Sequence, residues 1–191
     1  MDVASEAAVG TRQSARERIL DTAYELFSRH GTRAVGVDRI IAECGIAKMT
    51  LYRNFPSKDD LILAFLERRE ELWTRAWLQA EAERLLAIFD VFSGWFGEDD
   101  FEGCSFINVM VEITEPDSPV RQATVRHLEG IRAFVRGLAE EAGIEDGDAF
   151  ARQWHILMKG SIVAAGEGDC DAAGRARQMG ELLLAHHGVT V

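Results

Sequence analysis

The stretch "KMTLYRN", residues 48 to 54, crowds Lys48, Thr50, Tyr52, Arg53 and Asn54 into about two helical turns, and every one of these side chains can donate a hydrogen bond. A core segment would hide or pair such groups, because a buried donor without an acceptor costs about 1–3 kcal/mol. Their types suit a polyanion instead. Lys48 and Arg53 match phosphate charge, while Thr50, Tyr52 and Asn54 can bond directionally to phosphate oxygens or base edges. Met49 adds an apolar contact of the kind that reads a thymine methyl. Lys58 follows at the expected start of the next helix, where free N–H groups already attract anions.

The elements that must hold these residues are helical. Ile19, Ala23, Leu26 and Phe27 share one face of a first helix, with Leu20 at its edge. Ser14 is placed to cap its start and Gly31 to end it in a left-handed conformation. Val37, Ile40, Ile41 and Cys44 fit a helix of barely two turns that Gly45 stops. Ile46, Leu51 and Phe55 continue the apolar pattern through a third short helix. Two short helices around a glycine turn make a helix-turn-helix in which Ile40, Ile46 and Leu51 fix the angle. In "PSKDDL", Ser57 and Asp60 have capping-box spacing and open a fourth helix. Its stripe of Leu61, Phe65, Leu66, Leu72, Trp73, Ala76 and Trp77 spans about five turns.

"GIAKMTLYRNFPSKDDLI" closely resembles the recognition-helix region of the TetR family of transcriptional regulators, and "LFSRHG" resembles the family's first helix. The likeness runs from about Ser14 to Phe65. It implies an all-α homodimer, with a three-helix helix-turn-helix DNA-binding domain over residues 12–57 and a larger helical ligand-binding and dimerisation domain over 58–191. It also implies phosphate contacts at Thr50, Tyr52 and Lys58, groove-facing roles for Lys48, Met49 and Arg53, and Asn54 near the DNA backbone. The sequence departs from the family pattern at Gly36 and Ala47, which stand where helix-capping side chains are usual, and at Met49, where a small residue is frequent. A lost cap costs on the order of 1 kcal/mol.

Beyond the fourth helix, breaks at "GEDDFEG", "TEPDSP", "GIEDGD" and "GEGDCD" leave helical segments near 82–97, 103–114, 118–142, 148–166 and 171–187. Pro119 after Ser118 marks a helix start, and Val120, Thr124, Leu128, Ile131, Val135 and Leu138 form the following stripe. "FEGCSFINVMVEI" resembles a segment that borders the ligand cavity in some family members. Phe92, Trp95, Phe106, Asn108, Met110, Trp154, His155 and Met158 are the candidate lining of such a cavity, mostly apolar with a few polar handles. Ordinary core packing is the alternative for each aromatic and Met among them. Small residues in the last two segments, Gly160, Ser161, Ala164, Ala165, Ala172, Ala173 and Ala176, with Met179 and Leu183, suit close helix approach at a dimer interface.

Charge fits this division. The formal total is −11, but residues 12–60 are net +2 and residues 61–191 net −11. Cys44, Cys104 and Cys170 have no disulfide or zinc spacing, and no metal or cofactor is expected. Adjacent His186 and His187 point to different sides of a helix and suit its C-terminal dipole. Cys104 is expected to pack rather than to sense redox state. No run reaches the roughly 18 apolar residues of a membrane span, and the N-terminus lacks a signal-peptide core, so a cytoplasmic location is expected.

The resulting expectation is a repressor that binds a palindromic double-stranded operator and is released by a small apolar or amphipathic effector. No P-loop, HExxH or GxSxG is present. An enzyme that kept a helical shell, or a protein-interaction module with an acidic face, remains the alternative class.

Overall fold

The computed structural model describes residues 13–79 and 85–190, of which residues 73–79 are described as backbone only. Among them the chain is all-helical, as the sequence periodicity requires. The helices are α1 (Ala15–His30), α2 (Val37–Cys44), α3 (Lys48–Asn54), α4 (Lys58–Gln79), α5 (Ala87–Phe96), α6 (Ser105–Glu112), α7 (Pro119–Glu141), α8 (Gly147–Gly166) and α9 (Ala172–His186).

Local chemistry sets most boundaries. The Ser14 hydroxyl accepts from the Glu17 N–H at 3.1 Å, and Ser118 accepts from the Arg121 N–H ahead of Pro119. Ser57 and Asp60 close the expected capping box: Ser57 Oγ accepts from Asp60 N–H at 3.1 Å, and Asp60 Oδ2 accepts from Ser57 N–H at 2.9 Å. Gly45 ends α2 in the left-handed region, with φ 66° and ψ 40°. Gly31 also has positive φ, 77°, but its ψ of 158° is extended rather than left-handed helical. That geometry turns the chain so that the next two N–H groups face a carboxylate from far along the chain. Gly36 and Ala47 give α2 and α3 no side-chain cap.

The N-terminal unit packs α1, α2 and α3 around Ile19, Ala23, Val35, Ile40, Leu51 and Phe55, all buried. The first turns of α4 complete this core through Leu61 and Phe65, and Phe65 meets Tyr24 and Phe27 edge-on. Arg68 of α4 then clamps α1 through Asp21 and Glu17. The expected stripe of α4 ends early, since Leu72 is 46% exposed. The Trp73, Ala76 and Trp77 side chains lie outside the described residues.

The C-terminal unit stacks α7 on α8 and α8 on α9, with α5 against α9 and α6 against α7. Gly180 makes the α9 approach possible. A Cβ there would stand 2.8 Å from Trp154 and 3.2 Å from Phe89. No described helix is long and apolar enough to cross a membrane.

Candidate nucleic-acid interface and effector cavity

On α3, Leu51 alone is buried, and it holds the helix to α1 and α2. Met49 is 72% exposed and Tyr52 40%, and Lys48 and Arg53 are also exposed. Thr50, Asn54 and Lys58 are only half-buried, which departs from a fully outward set. The helical turn explains Asn54, whose Nδ2 donates to the Thr50 carbonyl at 2.8 Å and keeps one N–H free. Lys48 Nζ lies 3.3 Å from Asp38 of α2, an exposed pair. Lys58 occupies the first turn of α4; burial lowers its pKa, against the raising effect of Glu112 and Asp59. The face of α3 therefore presents cations and hydroxyls outward, around one apolar tip.

Glu112, the last residue of α6, reaches this unit. Its Oε2 accepts from the N–H of Thr32 at 2.8 Å, from the N–H of Arg33 at 3.0 Å and from the Thr32 hydroxyl. Glu112 thus fills the α1–α2 turn from outside, and no reading of the sequence marked it. On the other side of α6, Arg121 of α7 donates from Nη1 to the carbonyls of Met110 and Ile113, at 2.6 and 2.8 Å. These bonds satisfy the end carbonyls of α6 and fasten it to α7.

A cavity of about 410 Å³ opens between α4, α5, α6, α7 and α8, within the size range of small-molecule sites. Of the candidate lining residues, Phe92, His155 and Met158 border it. Trp95, Phe106, Asn108, Met110 and Trp154 are not in its lining. Trp95 instead packs with Phe96 and Phe101, at 5.4 and 4.9 Å between ring centres. Trp154 lies between Phe89 and Phe150, and its Nε1 finds no partner. Asn108 is exposed and donates to the Glu102 carbonyl. Met110 is partly buried against the core.

Phe106 is buried behind His127, with the rings stacked at 3.5 Å, and His127 itself faces the cavity. The sequence reading also missed Leu128, Gly130, Ile131 and Phe134 on the same face of α7. Cys104 and Ile107 contribute from the α6 side, Glu70 from α4, and Lys159 and Ile162 from α8. The α7 stripe was visible in the sequence; that part of it faces a void was not.

The polar lining divides into two groups. His127 Nδ1 is 3.2 Å from Glu70 Oε1, and burial lowers the imidazole pKa, so a neutral ring can donate to the carboxylate. His155 is 2% exposed, its Nδ1 has no hydrogen-bond partner, and its pKa is pushed down to about 4 by burial and then by Lys159, Arg132 and His127. Cys104 is buried and burial pushes its thiol pKa up, the opposite of a reactive thiolate. No group of His, Cys, Asp and Glu among the described residues could hold a metal ion.

Two family models match: "Bacterial regulatory proteins, tetR family" over residues 19–65, and "Tetracyclin repressor-like, C-terminal domain" over residues 82–179. The chain belongs to the TetR family of transcriptional regulators. Among solved TetR-family structures, SCO4454 from Streptomyces coelicolor superposes with a TM-score of 0.82 at 31% identity, over 93% of this chain and 96% of that one. The HTH-type transcriptional activator FasR of Mycolicibacterium smegmatis is 33% identical over 142 residues, covering 70% of this chain and 63% of that protein. The match therefore spans less than two thirds of FasR. The HTH-type transcriptional regulator YjdC of Escherichia coli is 22% identical over 171 residues, covering 84% of this chain and 90% of that one. These TetR-type relatives are regulators, and the exposed donors of α3 fall inside the matched helix-turn-helix.

Proposed function

We propose that this TetR-family protein is a cytoplasmic repressor that binds a palindromic operator as a homodimer and lets go when an apolar or amphipathic small molecule enters the cavity. In this reading Lys48, Met49 and Arg53 meet the major groove, Thr50, Tyr52 and Lys58 bind phosphate, and Asn54 lies near the backbone. The N-terminal domain is taken as residues 12–57 and the ligand-binding and dimerisation domain as 58–191. The observation that carries the reading is the exposed donor face of α3, mounted on a core that also includes the start of α4.

The dimer is supported by a patch on α8 and α9. Ile156, Val163, Met179 and Leu182 are 53–73% exposed, with Gly160 between the first two on one α8 face. Ser161, Ala172, Ala173 and Ala176 are buried within the chain, so the interface belongs to the larger apolar residues rather than to that stripe of small ones. A two-fold dimer would read half-sites about 34–36 Å apart.

Coupling would run along α6. One side of this two-turn helix gives Ile107 to the cavity, and its end gives Glu112 to the α1–α2 turn. An effector that prefers a shifted α6 would favour an N-terminal unit no longer held by the Glu112 carboxylate. Its unequal affinity for the two arrangements sets the whole effect.

Selection of duplexes from a random DNA pool by the purified protein tests the reading. Enrichment of a palindrome is expected, and a reporter carrying that site between promoter and gene should be silenced. No enrichment at low salt removes the DNA-binding function, and a reporter switched on reverses the sign of regulation, as in an activator.

A further inference from the structure

His155 and Lys159 stand one turn apart on α8, both facing the cavity. His155 is almost wholly buried, yet its Nδ1 has neither donor nor acceptor opposite it. Lys159 has no ion pair among the described residues, and its charge acts on His155 together with that of Arg132 from α7. Arg132 has Glu129 at 3.6 Å, on its own helix. Among the described residues of the cavity lining, Glu70 is the one acid, and it already has His127 at 3.2 Å. Around this cationic corner the walls are apolar: Phe92, Leu128, Ile131, Met158 and Ile162.

We infer that the cavity takes an amphipathic organic anion, an apolar body with a carboxylate head, seated with the carboxylate at Lys159 and His155. This deepens, and rests on, the reading of the cavity as an effector site. The carboxylate would supply the missing partner of Lys159 and an acceptor for a neutral His155 N–H, while the apolar body fills the space between α5, α7 and α8. A cation would instead meet Lys159 and Arg132, with no free acid among the described lining residues to receive it. An uncharged ligand could satisfy His155 but would leave Lys159 without an anionic partner. Burial, and after it the charge of Arg132, lowers the pKa of Lys159, and a carboxylate beside the ammonium would oppose both.

The test uses three probes of one shape, octanoate, octanol and octylamine, titrated into the full-length protein by calorimetry at pH 7. Octanoate should bind at least about tenfold tighter than either of the others, as a charge-assisted hydrogen bond predicts. In Lys159→Met the octanoate-to-octanol ratio should fall to within about twofold, and in Lys159→Arg the preference should return. Octanol or octylamine binding as tightly as octanoate overturns the assignment, as do failure of all three to bind and an undiminished preference in Lys159→Met. Operator binding, measured in parallel, separates the two readings. Release of DNA by octylamine alone overturns the anion and keeps the effector site. Tight octanoate binding that leaves DNA affinity unchanged keeps the anion and removes the effector role.

Discussion

The carboxylate of Glu112, at the C-terminal end of α6, accepts a 2.8 Å hydrogen bond from the backbone N–H of Thr32, a residue 80 positions earlier in the chain. A carboxylate taking two backbone N–H groups and a hydroxyl replaces what a helix cap does within one element, here between two units. Glu112→Gln keeps the size and loses the charge. It should destabilise the protein by about 1–2 kcal/mol in urea melts and change operator affinity. Wild-type affinity together with wild-type stability would leave the contact without a role.

Gly31 borders the same contact. A Cβ at this position would collide with Glu112 Oε1, on a backbone with φ of 77°. Gly31→Ala should therefore cost more than the ordinary penalty for Ala at positive φ, at least about 1 kcal/mol. Combined with Glu112→Ala, the cost should shrink, and a double-mutant cycle measures by how much.

On α3 and the start of α4, Tyr52→Phe and Lys58→Ala should each weaken DNA binding across sequences. Lys58→Ala should also reduce the slope of log affinity against log salt by about one. Unaltered affinity in both variants means that the helix docks in another way.

His155 sets a pH dependence. Its folded pKa of about 4 lies below the unfolded value of 6.5, because burial comes first and Lys159, Arg132 and His127 add to it. The unfolded chain then binds the extra proton first as pH falls. The stability held above pH 6.5 is lost progressively between 6.5 and about 4. His155→Leu should flatten that part of the stability curve relative to wild type, measured by chemical denaturation at each pH. Curves of identical shape would place the loss on other groups.

Leu182→Glu puts a charge in the exposed α8–α9 patch. Sedimentation should report a monomer, and affinity for a palindromic site should fall by at least about 100-fold. A dimer that survives the change uses another face.

Much of the scaffold was legible because its signals are local. Ser14, Ser57 with Asp60, Ser118 with Pro119, and Gly45 act within a few residues of themselves, and all of them do in the structure what their types predict. The cavity lining was legible only in part. Helical periodicity gives the inward face of a helix but not whether that face meets another side chain or a void. Phe92 and Trp154 are alike in sequence, and only the packing of Phe89 and Phe150 on either side removes Trp154 from the cavity. Glu70 with His127, and Glu112 with Thr32, depend on helices meeting across long stretches of chain, and no spacing rule reaches that far.

The exposed Lys48–Asp38 pair gives the proposed reading helix a built-in rival for its ligand. To touch DNA, the Lys48 ammonium must leave Asp38, and a pair this exposed holds it by at most about 1 kcal/mol. That toll falls equally on every stretch of duplex. At a cognate site the remaining contacts absorb it; on random sequence, where charge is nearly all there is, it shortens each visit. Asp38 would thereby trade a little grip for a faster search along the chromosome, and removing it should give a protein that lingers in the wrong places.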